Sequence, residues 1–163
     1  MSMKPGDHPD FYRLAPPPGT SRESTIRLDA EGKFWHDGAR VDHPAIEKAL
    51  HGWIARHPDD GRFILTNGYD WTYFQVDDAP FIVRALRVLP DSVLLQLSDE
   101  SEEPLVTETL RTGRGDALYA RVKGGQLEAK FSRHAQTALA PLLREGPDGR
   151  LRLRIGDREH EVP

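Results

Sequence analysis

The sequence has no cysteine among its 163 residues, which excludes disulfide bonds, thiol nucleophiles and cysteine-ligated zinc. It also lacks any apolar run long enough to form a membrane-spanning helix. Residues 1–24 contain no apolar segment of the kind found in a secretory signal. We therefore expect a soluble, cytoplasmic protein.

Basic residues are outnumbered by acidic ones. The chain has 22 lysines and arginines against 26 aspartates and glutamates, a net charge of −4. Because proteins that bind nucleic acids usually present a basic surface, this balance argues against nucleic acid as the partner. The hydrophobic fraction of 37% is nevertheless too high for a disordered chain.

Three regions follow from the distribution of residue types. Residues 16–18 are prolines and Gly19 follows them, a run that continues neither a helix nor a sheet. We therefore expect residues 1–23 to form an extended, flexible leader. An N-terminal α+β lobe over residues 24–90 and a β-rich lobe with one helix over residues 91–163 complete the predicted organisation.

Two helices are predicted from apolar residues that recur on one helical face. The first follows Asp42 as a cap and ends at His57-Pro58; the second follows Ser132 as a cap. Their apolar stripes are Ile46, Ala49, Leu50, Trp53 and Ile54 in the first, and Ala135, Ala138, Leu139, Leu142 and Leu143 in the second.

The remaining pattern is one of alternating strands separated by glycine-containing turns. Asp37-Gly38 is typical of a tight hairpin turn that needs positive φ at both positions. The segments 150–155 and 158–162 form the last predicted hairpin. Because strands occur in runs with only two helices, the predicted class is α+β, with mostly antiparallel sheets in two small lobes, each with one helix.

The most distinctive polar–aromatic pattern is around Trp71. Tyr69, Trp71 and Tyr73 share one face of a predicted strand, while Phe74 and Val76 occupy the other. Such a strand is either covered on both faces or exposes an aromatic strip, and aromatic rings with polar tips are enriched at binding surfaces.

Asp77 and Asp78 follow this strand directly. Adjacent side chains of an extended chain point to opposite faces, so the two carboxyl groups meet one substrate only where the backbone turns. The sequence Asp77-Asp78-Ala79-Pro80 is typical of a turn. The pair is therefore interpreted as turn residues, with acid–base chemistry as the alternative.

No convincing metal or nucleophile motif is present. Glu47 and His51 are one helical turn apart near His43, but a divalent metal needs three or four converging ligands. Ser132 precedes a helix, and capping accounts for it without a partnership with His134. We expect neither a metal nor a cofactor.

Arg150, Arg152 and Arg154 form a ladder in the last hairpin. The turn predicts that Arg152 lies opposite Glu161 and that Arg154 lies opposite Glu159. Opposite charges across an antiparallel pair stabilise it, so we interpret this face as self-neutralised rather than as a nucleic-acid or anionic-lipid surface.

The order of motifs resembles the bacterial domain-of-unknown-function family 1285 (DUF1285). The resemblance covers residues 25–145, and Asp77-Asp78-Ala79-Pro80-Phe81 is its most specific part. The other matching segments are 25–38, His43-Pro44 with the helix that follows, 76–83, 117–122 and 125–129. The proline-rich leader and the arginine-rich last hairpin depart from the family. The resemblance implies a two-lobed antiparallel α+β fold, with no activity and no catalytic residues.

Two functional hypotheses follow. The first is a non-enzymatic ligand-binding or protein-interaction module, with Trp71, Tyr73, Asp77 and Asp78 beside a groove between the lobes. The alternative is a carboxylate-dependent hydrolase, which predicts that at least two of Asp70, Asp77 and Asp78 converge. The sequence does not identify the ligand, the partner or the oligomeric state.

Overall fold

The protein is described by a computed structural model that covers residues 3–163. The chain divides into two compact units, Met1–Asp78 and Ala79–Pro163. Within the described residues, no helix is long and apolar enough to cross a membrane.

The first unit contains one α-helix and two small sheets among its described residues. The sheet orders are β3-β2-β1-β7 and β4-β5-β6, antiparallel throughout except for the parallel pair β1–β7. The elements are β1 (Arg27–Leu28), β2 (Phe34–His36), β3 (Ala39–Arg40), α1 (Pro44–Gly52), β4 (Ile54–Arg56), β5 (Phe63–Thr66), β6 (Trp71–Tyr73) and β7 (Gln75–Val76).

The predicted turn between β2 and β3 is confirmed. Asp37 and Gly38 both have positive φ, 51° and 79°, as a tight hairpin turn with a right-handed strand twist requires. The predicted single strand from residue 69 is wrong, because it is divided into β6 and β7 at Phe74.

Helix α1 is shorter than its apolar spacing predicts. It ends at Gly52, and Ile54–Arg56 instead pairs with β5 as strand β4. The cap is His43 rather than Asp42, since the His43 ring accepts a hydrogen bond from the backbone N–H of Ile46 at 3.4 Å. Pairing with β5 satisfies the backbone of β4, so tertiary structure overrides the helical pattern there.

Residues 1–23 were expected to be an extended leader. Residues 1–2 lie outside the described part of the chain, and residues 3–23 contain two single-turn 3₁₀ helices, Pro5–Asp7 and Phe11–Arg13. Phe11 is 5% exposed and packs with Ile64 and Trp71. A large apolar ring provides the docking energy that a proline-rich segment otherwise lacks.

The second unit has a six-stranded sheet in the order β10-β9-β8-β13-β12-β11 and a three-stranded sheet in the order β14-β15-β16. All pairs are antiparallel except β8–β13. The elements are β8 (Phe81–Val88), β9 (Val93–Leu97), β10 (Glu102–Pro104), β11 (Arg111–Thr112), β12 (Leu118–Val122), β13 (Leu127–Phe131), α2 (Arg133–Leu139), β14 (Leu143–Glu145), β15 (Leu151–Ile155) and β16 (Arg158–Val162).

Helix α2 begins where the sequence predicts and ends early. The Ser132 hydroxyl accepts a hydrogen bond from the Ala135 N–H at 3.1 Å, which confirms the cap. Beyond Leu139 the chain forms a 3₁₀ turn and then strand β14, because Pro141 cannot donate the next helical hydrogen bond. The sequence pattern did not predict β14.

The register of the last hairpin is as predicted: Arg152 lies opposite Glu161 and Arg154 lies opposite Glu159. The sequence alone predicts a further strand over 105–110, but Thr107–Thr109 is a 3₁₀ turn. With mostly antiparallel sheets and two α-helices in the described residues, the α+β class is confirmed.

Candidate ligand-binding site

Trp71 and Tyr73 lie side by side on β6. Their ring centroids are 5.0 Å apart and the rings are nearly perpendicular, at 88°. Trp71 is only 6% exposed, whereas Tyr73 is partly buried. The two rings belong to an aromatic cluster, by which we mean Phe11, Tyr12, His57, Trp71 and Tyr73.

The N-terminal segment covers one side of this cluster. The Tyr12 ring lies 6.0 Å from the Trp71 ring, and Gly6 donates a backbone hydrogen bond to the Gly68 carbonyl at 2.7 Å. Arg13 binds the Asp59 carboxylate with two hydrogen bonds of 3.0 and 2.8 Å. The sequence pattern did not decide whether this aromatic face is buried or exposed. At Trp71 it is covered by the N-terminal segment of the chain itself.

His57 is a structural member of the cluster. Its Nδ1 accepts a hydrogen bond from the Asp59 N–H at 3.1 Å, and its Nε2 lies 3.0 Å from the Tyr12 carbonyl oxygen. An Nδ1 that accepts and an Nε2 that donates satisfy both contacts. With both nitrogens engaged, it has no free atom for proton transfer.

Tyr73 connects the cluster to surface charges. Its hydroxyl donates to Asp60 Oδ2 at 2.6 Å, a bond that lowers the pKa of Asp60 and raises the pKa of Tyr73. The Arg62 guanidinium stacks 3.7 Å from the Tyr73 ring centroid and binds both carboxylate oxygens of Glu23. These contacts leave the Tyr73 hydroxyl committed to a protein partner.

An open pocket of about 190 Å³ lies on another side of Trp71, entirely within the first unit. Its wall combines aliphatic and indole surface with a few polar groups. It is lined by Ile26, Leu50, Trp53, Leu65, Asn67, Asp70, Trp71 and Thr72. We call this cavity the Trp53 pocket, because Trp53, at 38% exposure, presents the most accessible ring.

Asp70 supplies negative charge at the Trp53 pocket. The Trp71 backbone N–H donates to Asp70 Oδ1 at 2.8 Å, and Arg22 binds the same oxygen. The Trp71 N–H and then the Arg22 guanidinium lower the pKa of Asp70. The carboxylate side chain is 70% exposed while that of Arg22 is 17% exposed, so an incoming ligand meets the anion rather than the cation.

Asn67 holds the adjoining turn. Its Oδ1 accepts hydrogen bonds from the Tyr69 and Asp70 N–H groups, each at 2.9 Å. Because the carbonyl oxygen faces the turn, the amide NH₂ of Asn67 remains available to a ligand. The Nε1 of Trp71 and the Nε of Arg22 are buried without a partner among residues 3–163, but neither is reachable from the pocket as it stands.

The sequence-predicted site residues are not all brought together. Trp71 lines the Trp53 pocket, whereas Tyr73, Asp77 and Asp78 lie outside it. Asp77 and Asp78 are exposed, and Asp77 pairs with Arg27. No group of three or more residues of the metal-ligating types occurs among the described residues.

Sequence reasoning missed Trp53 and Asn67 as candidate site residues. Trp53 was assigned to the apolar stripe of the first helix, yet it is the residue that follows α1 and stands partly exposed. The sequence pattern at Asn67-Gly68 indicates only a tight turn. An aromatic residue near the end of an amphipathic stripe is the signal that points to Trp53.

Comparison with known proteins identifies the fold. No family model and no curated protein matches this sequence. A DUF1285 family protein from Silicibacter pomeroyi DSS-3 superposes with a TM-score of 0.70 at 18% identity, covering 93% of this chain and 91% of that chain. The chain has the DUF1285 fold.

A second DUF1285 family protein, from Shewanella baltica OS155, has a TM-score of 0.59 at 18% identity and covers 74% of this chain and 94% of that chain. The resemblance that the sequence carries is therefore confirmed at the level of the fold. Because the DUF1285 family has no assigned function, the fold does not indicate an activity. The functional argument therefore depends on the pocket itself.

Proposed function

We propose that this protein is a non-enzymatic binding module and that the Trp53 pocket holds a small ligand with an apolar body and a cationic or hydrogen-bond-donating head. The observation that carries this proposal is the meeting of Trp53, Trp71 and the exposed Asp70 carboxylate around one cavity. Apolar cavities with a few convergent polar groups are typical of ligand sites.

The apolar part of the ligand is assigned to the indole and aliphatic wall. Trp53 offers ring surface that is already partly accessible, and Leu50 and Leu65 supply the adjoining aliphatic surface. Covering exposed apolar surface stabilises a complex by about 25 cal/mol for each Å² removed from water. A planar aromatic body fits this wall best.

The head group is assigned by charge. Asp70 has a lowered pKa, so it is a carboxylate at neutral pH and attracts a cation. Its exposed oxygen and the Asn67 amide together favour a ligand whose head donates hydrogen bonds. An anionic head group would face the Asp70 carboxylate and be repelled.

The hydrolase alternative receives less support. It predicts that carboxyl groups converge, yet Asp70 binds Arg22 and Asp77 binds Arg27. The lowered pKa of Asp70 also suits a fixed anion better than a general acid, which needs a pKa near the working pH. These contacts favour binding over acid–base catalysis.

We further propose that the two compact units are the two lobes expected from the sequence, each with its own helix. Helix α1 belongs to the first unit and α2 to the second. The described part of the leader, residues 3–23, is then part of the first lobe rather than a separate region.

Three indole probes with a common body test the proposal: tryptamine is cationic, indole is neutral and indole-3-acetate is anionic. Isothermal titration calorimetry should give the order tryptamine, indole, indole-3-acetate from strongest to weakest, because Asp70 attracts the first and repels the last. In Asp70→Asn the difference between tryptamine and indole-3-acetate should shrink.

Two tryptophan variants control for loss of aromatic content. Trp53→Ala should abolish tryptamine binding, whereas Trp35→Ala should leave it unchanged, because Trp35 hydrogen-bonds to Asp29 and does not line the pocket. Equal affinity of all three probes, or equal loss in both variants, would refute the proposed function.

A further inference from the structure

The outer face of the β14-β15-β16 sheet is more basic than the last hairpin alone suggests. Arg152 and Arg154 share one face because strand side chains alternate. Glu161 lies opposite Arg152 and Glu159 lies opposite Arg154, but β14 places Arg144 opposite Arg152 on its other side. Like charges directly opposite are destabilising, so a third cation breaks the balance of this face.

The arginines of this face differ in how well they are paired. Arg150 binds Glu161 at 2.9 Å. Arg152 lies 3.5 Å from Asp148 and 3.7 Å from Glu159, beyond the usual 3.2 Å of an N–H···O hydrogen bond. The two acidic neighbours of Arg152 therefore hold it only loosely.

Arg144 and Arg154 have still fewer partners. The Arg154 Nε contacts only the Gly156 carbonyl of its own turn, at 3.4 Å. Arg144 has no hydrogen bond or ion pair with any described residue. Two guanidinium groups beside Arg152 are thus left with donors that water or a ligand must satisfy.

These three arginines surround one cavity of about 200 Å³. The cavity lies wholly within the second unit and is separate from the Trp53 pocket. Its lining residues are Arg144, Glu145, Gly146, Pro147, Arg152, Arg154 and Glu159. Three arginines and two glutamates line it, and the Asp148 carboxylate lies 3.5 Å from Arg152. The charges are therefore balanced, and what distinguishes the cavity is the set of guanidinium donors on Arg144 and Arg154 that have few protein partners.

Gly146 makes room for the central guanidinium. A Cβ atom at this position would lie 3.0 Å from Arg152 Nε, 3.2 Å from its Cζ and 3.0 Å from Asp148 Oδ1. The turn that contains Gly146 is fixed by the Gly149 N–H, which donates to the Gly146 carbonyl at 3.0 Å, and by the Gly146 N–H, which donates to the Arg150 carbonyl at 2.8 Å. The absent side chain therefore leaves room for both the Arg152 guanidinium and the Asp148 carboxylate.

We propose that this cavity binds the phosphate group of a small soluble phosphate monoester. Guanidinium groups match the oxygens of phosphate with paired, charge-assisted hydrogen bonds. Glu145 and Glu159 at its wall repel an extended polyanion, which is why a single phosphate group fits better than a nucleic acid.

Isothermal titration calorimetry with glycerol 3-phosphate and with inorganic phosphate tests this site. The ionic strength is held constant, and sodium chloride is the control titrant. Both probes should bind the intact protein. Arg144→Gln should weaken binding at least about tenfold, a loss of ~1.4 kcal/mol. Arg150→Gln removes the same charge from the residue that precedes β15, outside the cavity lining, and should leave the affinity unchanged.

Gly146→Ala is a second variant that leaves the net charge unchanged. Its methyl group would crowd both the Arg152 guanidinium and the Asp148 carboxylate, so phosphate affinity should fall although the net charge of the surface is the same. Circular dichroism of each variant establishes that the fold is retained. Unchanged phosphate affinity in both Arg144→Gln and Gly146→Ala would overturn the assignment.

A vesicle-binding experiment distinguishes a lipid phosphate from the phosphate of a soluble ligand. Vesicles of equimolar phosphatidylcholine and phosphatidic acid are compared with vesicles of phosphatidylcholine alone by co-sedimentation. Binding of glycerol 3-phosphate without vesicle binding supports a soluble ligand. Vesicle binding without binding of either soluble probe overturns the proposal in favour of a membrane surface. If Arg144→Gln and Arg150→Gln weaken phosphate binding equally, general surface charge explains the binding and the proposal is overturned.

Discussion

At the scale of single residues, the clearest determinant in the second unit is the ion pair between Asp99 and Lys123. The Lys123 ammonium donates to Asp99 Oδ2 at 2.7 Å and to the Ser101 hydroxyl at 2.8 Å. The Asp99 side chain is 11% exposed. Burial opposes its ionisation, but the hydrogen bonds from Lys123 and Ser101 outweigh burial and lower the pKa of Asp99.

Lys123→Met should destabilise the protein by about 1–3 kcal/mol at neutral pH, because it removes a charged hydrogen bond from a buried carboxylate. Since the folded-state pKa of Asp99 lies below its unfolded value, this stability is present above the unfolded pKa. It is lost as the pH falls through the folded pKa. The difference between the two proteins should therefore shrink in acid.

Denaturant unfolding of both proteins at several pH values measures this difference. Lys33→Met, which replaces an exposed lysine of the first unit, is the matched control and should change stability little at any pH. A Lys123→Met effect that is independent of pH would contradict the ion-pair account.

Single residues also show what the sequence can predict about the candidate site. Trp71 was singled out by its strand alternation, and it lines the Trp53 pocket. Asp77 was singled out with it, yet Asp77 pairs with Arg27 away from the pocket lining. Local spacing identifies residues of an unusual type, but it does not indicate which distant arginine will neutralise a carboxylate.

At the scale of elements, short-range hydrogen-bonding chemistry was predictable and element ends were not. The Asp37-Gly38 turn and the Ser132 cap depend on neighbouring residues alone, and both are present. Strands β4 and β14 were hidden inside apolar helical stripes because their pairing partners lie elsewhere in the chain. For the same reason, the charge balance predicted for the last hairpin omitted Arg144, which lies opposite Arg152 on β14.

Ser132→Ala should lower the free energy of unfolding by about 1 kcal/mol, because a helix N-cap that loses its side-chain acceptor costs about this amount. Helix α2 is only seven residues long, so its first turn is a large part of it. Thr137→Ala, at an exposed position of the same helix, is the control and should be neutral. Equal effects in thermal unfolding would show that the cap does not matter.

The N-terminal segment is a further element whose role is testable. Phe11→Ala should destabilise the first unit by about 3 kcal/mol, since the ring is 5% exposed among Ile64 and Trp71. Leu14→Ala in the same segment should have little effect, because Leu14 is 59% exposed. Equal denaturant midpoints for the two variants would mean that the segment is not docked through Phe11.

At the scale of the whole molecule, the chain consists of two compact units that meet in sequence at Asp78 and Ala79. Each unit has its own sheets and one α-helix among the described residues. The two candidate sites also fall in different units, the Trp53 pocket in the first and the arginine-lined cavity in the second.

A fragment of residues 79–163 should fold alone, because its six-stranded sheet and the buried side chains on that sheet come from within it. Heteronuclear NMR of the fragment should give the dispersed amide resonances of a folded domain. A spectrum with the poorly dispersed amide resonances of an unfolded chain would show that the second unit does not fold on its own.

The most direct test of the binding-module account is chemical-shift mapping of tryptamine on the intact ¹⁵N-labelled protein. The account predicts saturable shifts of the Trp53 indole N–H and of the backbone amides of residues 65–72, with the second unit unaffected. Shifts confined to any other surface, or no saturable shift at all, would contradict it.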